Sequence, residues 1–595
     1  MTRRGSFPRT GILHLIFRTA FALFALFFWW ASGAWAFEAQ HGDEGTEIFY
    51  VSGRILDSHQ EPVADARVDL LIDGHAYQVE GAGHEHGEDG ILTAPDGTYQ
   101  IAAHLPAGTA RGAEIQVQAA KTGFERTTVQ VPATAIAGSG GVFHAHADLG
   151  MTRVLGPAFW IATVIFILAY VLISFELLHR TLTAMLGAAI ILVITYTVGT
   201  INPDYHILSY ERAIHAIDMN VVFLLMGMMI IVGILKHTGV FQWFAYKSYQ
   251  LARGNVVLLS VVLTAFTAFV SAFLDNVTTM LLLTPVTIEI ALSLGISPLV
   301  LLIPEILASN IGGTATLIGD PPNIMIGSYA GLTFMDFVKN LTPTVVVSIV
   351  VLSAYSRIFY RKEYARARVG DVQAFIAKLR EEYRITDAML LTVGSIIMLM
   401  TIGLFLSHGF WHMEVSIAAL FGASLLFTYG LLTKRIDLLH LIEKDIEWTT
   451  LLFFIFLFIL VGAVEETGLL AIIADWVMGL SAGNLVMAIC LILWVSALMS
   501  AFVDNIPFTA TMLPIVAYLT KEIPGAESGV LWWALAFGAC FGGNGTMIGA
   551  SANVVTLGIA EAAGHHIKFF AFMKMAFLYM VISVALANLW LLLFY

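Results

Sequence analysis

Ser271-Ala272-Phe273-Leu274-Asp275-Asn276-Val277-Thr278-Thr279 is written a second time as Ser500-Ala501-Phe502-Val503-Asp504-Asn505-Ile506-Pro507-Phe508. Both copies read Ser-Ala-Phe-x-Asp-Asn, and both lie inside long apolar runs, 229 positions apart. A carboxylate and an amide placed in hydrocarbon are costly, so the first reading of each is functional. Two such placements at a fixed spacing indicate an internal repeat with a site between the copies. The register extends well beyond the motif. Gly233 and Gly462, Gly239 and Gly468, and Pro285 and Pro514 share the same offset, and Gly312/Gly542, Gly313/Gly543, Thr316/Thr546, Gly319/Gly549 and Asn323/Asn553 follow it one residue later.

The chain around this repeat is 58% hydrophobic and only 12% charged, where a soluble protein would carry roughly a quarter charged residues. Its mean hydropathy is +0.81. The expected class is a polytopic α-helical membrane protein. The net charge of −13 argues against nucleic acid as a partner, which requires a basic surface. The two cysteines, Cys490 and Cys540, both lie in apolar segments, so no disulfide framework is expected.

Residues 1–36 read as a signal peptide: Arg3, Arg4 and Arg9, an apolar run from Ala20 to Ala31, and the small-x-small end Ala34-Trp35-Ala36. Residues 47–150 change texture. Val51–Asp57 alternates apolar and polar, Pro62–Leu71 alternates again, and Pro95-Asp96-Gly97 turns into a third alternating run. The expectation is a small all-β sandwich of about seven strands. It is similar to carboxypeptidase-regulatory-like domains, a resemblance that implies an accessory module outside the membrane and carries no peptidase site. Histidine gathers here, and His84/His86 and His144/His146 are both His-x-His. On a strand, i and i+2 share a face, which makes the pairs candidates for a transition metal. The competing reading is a polar solvated loop.

The membrane part divides into a first transport half at 156–360, with repeat 1 from about 218, a linker at 361–385, and a second half at 386–595, with repeat 2 from about 447. Expected spans include Val221–Leu235, Pro343–Tyr360, Thr449–Val464 and Ala576–Tyr595. The linker is rich in Lys and Arg and is therefore expected in the cytoplasm. Lys236–Arg253 carries cations whereas its partner Glu465–Gly483 carries only acids, so the two copies prefer opposite sides of the membrane. Repeats inverted in this way are the signature of alternating access. The N-terminal domain and the C-terminus are expected on the extracytoplasmic side of the cytoplasmic (inner) membrane.

Each repeat also contains a broken apolar segment, Asn310–Asn323 and Gly542–Asn553, too rich in Gly and Pro for continuous helix. Non-helical backbone at membrane depth is tolerated where it lines a cavity. Hairpin tip and broken helix are therefore expected to meet. The candidate ion- and substrate-binding residues are Asp275, Asn276, Thr278, Gly312, Gly313, Thr314, Asp320 and Asn323 in repeat 1. In repeat 2 they are Asp504, Asn505, Thr509, Gly543, Asn544, Thr546 and Asn553. Helix N-termini suit an anion, freed carbonyls with Asn and Thr suit Na⁺, and the carboxylates can hold a cation or carry H⁺. The structural alternative is that Asp275, Asp504, Asn323 and Asn553 cap the helices that follow.

Phe273–Thr279 with Leu283-Thr284-Pro285-Val286-Thr287, Asn310–Asn323, Asp504–Thr509 and Gly543-Asn544-Gly545-Thr546 resemble the P protein branch of the ion transporter superfamily, whose arsenite permeases, sodium/proton antiporters and citrate or dicarboxylate carriers share the design. The resemblance covers residues 156–595. It implies re-entrant hairpins, a scaffold that mediates homodimerisation, and Asp-Asn at both hairpin tips. Dicarboxylate carriers have Ser-Asn-Thr at that position, so this chain departs from them. The expected function is a secondary active transporter of a small anion or oxyanion, coupled to Na⁺ or H⁺, with no other cofactor and no enzymatic activity. The alternatives are a Na⁺/H⁺ antiporter and a metal-sensing membrane receptor.

Overall fold

The computed structural model describes residues 46–595 except 58–61, 65, 78–89, 95, 107, 122, 140, 176 and 368–371. The signal-peptide expectation and the His84/His86 pair lie outside the described residues. The described residues form two compact units, divided between Thr152 and Arg153.

The first unit is a β-sandwich of two five-stranded sheets. Its central strand, β1 (Thr46–Asp57), buries Phe49, Val51 and Ile55 on alternate positions, as period-2 alternation requires. Strands β2 (Arg67–Ile72), β3 (His75–Tyr77) and β4 (Ile91–Leu92) precede β5 (Thr98–Pro106), which pairs antiparallel with β1. Strands β6 (Ile115–Ala120), β7 (Thr127–Val131), β8 (Ala137–Ser139), β9 (Val142–His146) and β10 (Leu149–Met151) complete the sheets. The expected seven strands become ten among the described residues, because β3, β4, β8 and β10 have two or three residues each and are too short to show periodicity. The alternating run from Pro62 contributes only a single bridge, Pro62 to Leu56, before β2 starts at Arg67.

Among the described residues, the second unit holds ten helices long and apolar enough to cross a membrane, with shorter apolar helices among them. A pair, α1 (Pro157–Ser174) and α2 (Arg180–Tyr196), comes first. Repeat 1 is α3 (Met219–Lys236), α4 (Val240–Ala252), α5 (Val256–Ser271), α6 (Asn276–Ser293), α7 (Leu299–Gly313), α8 (Pro321–Ala330) and α9 (Phe334–Phe359). After the linker helix α10 (Val372–Glu382), a second pair follows, α11 (Ala388–Trp411) and α12 (Val415–Leu432). Repeat 2 is α13 (Trp448–Glu466), α14 (Leu469–Ser481), α15 (Leu485–Phe502), α16 (Asn505–Glu522), α17 (Val530–Gly542), α18 (Ser551–Ala562) and α19 (Phe569–Phe594).

Helix α9 begins well before Pro343, where the sequence suggested its start. Thr333 and Asp336 form a reciprocal capping box at its N-terminus, and Pro343 is absorbed inside the helix. Helix α19 likewise begins at Phe569 and not at Ala576.

The repeats are inverted. The C-terminal end of α3 lies beside the N-terminal end of α13, its counterpart, where His237 Nε2 is 2.7 Å from Asp445 Oδ2. At the other end, Gly462 late in α13 lies against Ala216 just ahead of α3. Each opening pair packs on the repeat of the other half: α2 on α13, and α12 on α3. The halves are thereby interlocked.

Within each repeat, the glycines set how closely the helices approach. A Cβ on Gly312 would stand 2.2 Å from the Ala268 carbonyl oxygen, and one on Gly542 would stand 2.5 Å from that of Ala497. Only glycine admits such an approach.

Candidate functional site

Both hairpin tips are helix starts. Asp275 caps α6, with Oδ1 accepting from the Thr278 N–H at 2.9 Å. Asp504 caps α16, with Oδ1 accepting from the Ile506 N–H at 3.0 Å. The residue after each cap turns inward. Asn276 Nδ2 donates to Asp320 Oδ1 at 3.3 Å, and Asn505 Nδ2 donates to Asp320 at 3.3 and 3.4 Å. The two inverted tips thus converge on one carboxylate. Asp320 is fully buried and sits at the end of the non-helical stretch between α7 and α8.

An amide network extends from this point. Asn276 Nδ2 also donates to Asn310 Oδ1 at 3.2 Å, and Asn310 Nδ2 donates to Asn544 Oδ1 and Asn553 Oδ1, both at 3.0 Å. Asn310 connects the two broken helices and was not among the residues singled out from sequence. Its signal was position: it opens the broken segment Asn310–Asn323, two residues ahead of Gly312-Gly313. The Nδ2 of Asn544 is buried without a hydrogen-bond partner. A buried amide donor left this way costs about 1–3 kcal/mol.

The other predicted residues divide by role. Asn323 Nδ2 donates to the carbonyls of Thr314 and Thr316, at 3.0 and 2.8 Å. Asn553 Nδ2 donates to those of Gly543 and Thr546, at 2.8 and 2.9 Å. These two asparagines clamp the broken loops. Thr316 and Thr546 donate their hydroxyls to the carbonyls of Ala272 and Ala501, which fixes each loop to the helix leading into its hairpin tip. Thr314 and Thr509 bond the carbonyls of Asn310 and Asn505 one turn back in their own helices. Gly313 faces the Gly319 carbonyl and Gly543 the Gly549 carbonyl, so the glycines, Gly312 included, bring the protein's own backbone together.

A cavity borders the tips. Asp275, Asn276, Asp320, Asn505, Arg180, Glu447, Thr450 and Ser551 line it. Arg180 comes from the first turn of α2, outside the repeats. One of its guanidinium nitrogens lies 3.2 Å from Asp504 Oδ2 and 2.5 Å from Ser551 Oγ, and the guanidinium carbon stands 5.2 Å from the Phe453 ring centroid. The side chains of Arg180 and Asp504 are 24% and 13% exposed, so the pair is partly desolvated. Among the described residues Asp275 makes no ion pair. A second cavity shares Met229 and Glu447 with the first and is lined by Lys236, Thr278, Lys444 and Asp445. Sequence reading missed Arg180 and Glu447. The available clue was a cation in the first turn of a membrane helix, where the helix dipole disfavours it.

In the β-sandwich, His144 and His146 lie exposed on one face of β9. His144 stacks on Tyr50 with ring centroids 5.1 Å apart, while His146 Nε2 lies 3.3 Å from Asp148.

A family model described as Citrate transporter matches residues 170–538. An uncharacterized transporter of Mycobacterium bovis is 43% identical over 433 residues, which is 72% of this chain and 97% of that protein. A 46 kDa membrane protein of Mycobacterium leprae is 41% identical over 434 residues, again 72% of this chain and 97% of that protein. The human P protein is 36% identical over 498 residues, 71% of this chain but 58% of its own length. Among solved structures, the Alcanivorax borkumensis YdaH transporter aligns with a TM-score of 0.48 and 13% identity over 70% of this chain and 98% of that one.

Proposed function

The chain belongs to the citrate transporter family of multi-pass membrane proteins, and on that premise we propose that it is a secondary active transporter that moves a small anion by alternating access, coupled to Na⁺ or H⁺. The observation that carries this reading is the convergence of Asn276 and Asn505, from two inverted repeats, on the single buried carboxylate of Asp320. A site reached by one hairpin tip from each inverted repeat is exposed to either side as the repeats rock.

The charges suggest an order of binding. Asp275, Asp320 and Glu447 line the cavity against the one guanidinium of Arg180, so the empty site repels an anion. Coupling cations or protons on the carboxylates remove that repulsion. The anion then meets Arg180 at the cavity wall. Obligatory order of this kind is coupling. The family's description points to carboxylate anions such as citrate; Asp-Asn at the tips separates this chain from carriers with Ser-Asn-Thr there. In this reading the chain is no enzyme, sits in the cytoplasmic membrane with its N-terminal domain and C-terminus outside, and pairs into a homodimer.

The acidic excess around the cavity favours a second reading, Na⁺/H⁺ antiport without a co-transported anion. Flux into proteoliposomes under separately imposed Na⁺, pH and anion gradients distinguishes the two. Symport predicts anion uptake that requires the cation gradient. Cation–proton exchange in the absence of any permeant anion would overturn it in favour of antiport.

A further inference from the structure

Outside this site, the two repeats meet at a second cluster of side chains. His237 caps the C-terminus of α3, the first helix of repeat 1. His440 and Asp445 lie in the irregular turns just before α13, the first helix of repeat 2. One ligand atom from each of the three lies within 4.8 Å of the other two. His237 Nε2 and Asp445 Oδ2 are already 2.7 Å apart, and the His440 ring stands edge-on to His237 at 5.3 Å. The His440 imidazole makes no hydrogen bond among the described residues.

The surroundings favour this approach. A Cβ on Gly233 would stand 2.7 Å from the Asp445 Cβ, so glycine is what lets the turn lie against α3. The Asp445 side chain is only 2% exposed, and Lys236 Nζ lies 3.6 Å from its other oxygen. The His237 carbonyl accepts from Thr386 Oγ1 at 2.8 Å, which fixes the backbone that carries the imidazole.

We propose that His237, His440 and Asp445 form a binding site for a zinc-class transition metal that ties the opening helices of the two repeats together at the rim of the second cavity. Two imidazoles and a carboxylate suit a borderline divalent ion. Tetrahedral ligand atoms around such an ion stand roughly 3.4 Å apart. The exposed His440 reaches that spacing by side-chain rotation. The metal replaces the proton now shared between His237 and Asp445, and water takes the fourth position. Because Asp445 and Lys236 line the second cavity, an occupied site restrains the movement of one repeat against the other. This consequence rests on the transport reading; metal binding itself does not.

The test uses the full chain with His84, His86, His144 and His146 replaced by Ala, titrated with Co²⁺ as a spectroscopic probe. The expected result is about one Co²⁺ per chain with the intense visible bands of a four-coordinate site. His440→Ala, at an exposed position, and Asp445→Asn each weaken binding by at least about tenfold, while His215→Ala leaves it unchanged. The same stoichiometry and spectrum in His440→Ala would overturn the assignment. In proteoliposomes, Zn²⁺ slows flux of the parent and not of His440→Ala. Binding without inhibition would remove the restraint and leave the site standing; loss of all flux would speak to the transport reading alone.

Discussion

Repeat 1 and repeat 2 build the same frame and equip it differently. In both, an Asp caps the helix after the hairpin tip, the next Asn turns inward, a threonine fixes the broken loop to the preceding helix, and an Asn clamps that loop through two carbonyls. The charges break the symmetry. Asp320, where both tips meet, has only Ala550 at the equivalent place in repeat 2. Asp504 is neutralised by Arg180, while Asp275 has no such partner among the described residues. Duplicated positions serve the frame, since inverted packing asks the same of both copies. Unique positions set the chemistry, because one substrate path requires one centre.

The largest effect expected from breaking this asymmetry is at Asp320. Asp320→Ala makes the two broken loops alike and leaves the amides of Asn276 and Asn505 facing an empty site. Transport in proteoliposomes should fall below about one-hundredth of wild type, with Asp320→Asn nearly as inactive while retaining the volume. Substantial flux in Asp320→Asn would show that the central carboxylate is dispensable.

The shared frame makes the opposite prediction, that equivalent changes are equally harmful. Gly312→Ala and Gly542→Ala each drive a methyl into the backbone of equivalent alanines, Ala268 and Ala497. Each should destabilise the detergent-solubilised protein by about 1–3 kcal/mol, read as similar drops in thermal midpoint. A large drop in one and none in the other would mean that the two copies do not pack alike.

The smallest effect distinguishes the two tip carboxylates. Asp504→Asn strands the guanidinium of Arg180, and a double-mutant cycle with Arg180→Gln should return a coupling of roughly 1 kcal/mol. Asp275→Asn keeps an equally good helix cap and should leave stability within about 0.5 kcal/mol. The same Asp275 change should still alter the apparent affinity for the coupling cation, measured as the Na⁺ or pH dependence of flux. Equal stability losses at Asp275 and Asp504 would erase the asymmetry drawn here.

The sequence by itself determined the membrane class, the repeat and its inversion, and the two inward asparagines. These follow from hydrophobic runs, a fixed spacing and the cost of polar groups in hydrocarbon, and all three are written locally along the chain. It also placed Asp320 in the broken segment, without indicating that both tips would share it. Tertiary structure alone decided the rest. Arg180 and Glu447 reach the site from elements that no motif marks. Asn310 opens a marked segment but finds its partners Asn276, Asn544 and Asn553 only in the fold. The Nδ2 groups of Asn323 and Asn553 and the hydroxyls of Thr316 and Thr546 donate to backbone carbonyls. His237, His440 and Asp445, from opposite halves of the chain, meet only because α3 and α13 run antiparallel. The physical reason is the same in each case. Burial and periodicity are properties of a segment, whereas hydrogen-bond and charge partners are chosen by which segments the interlocked packing brings within about 3 Å of one another.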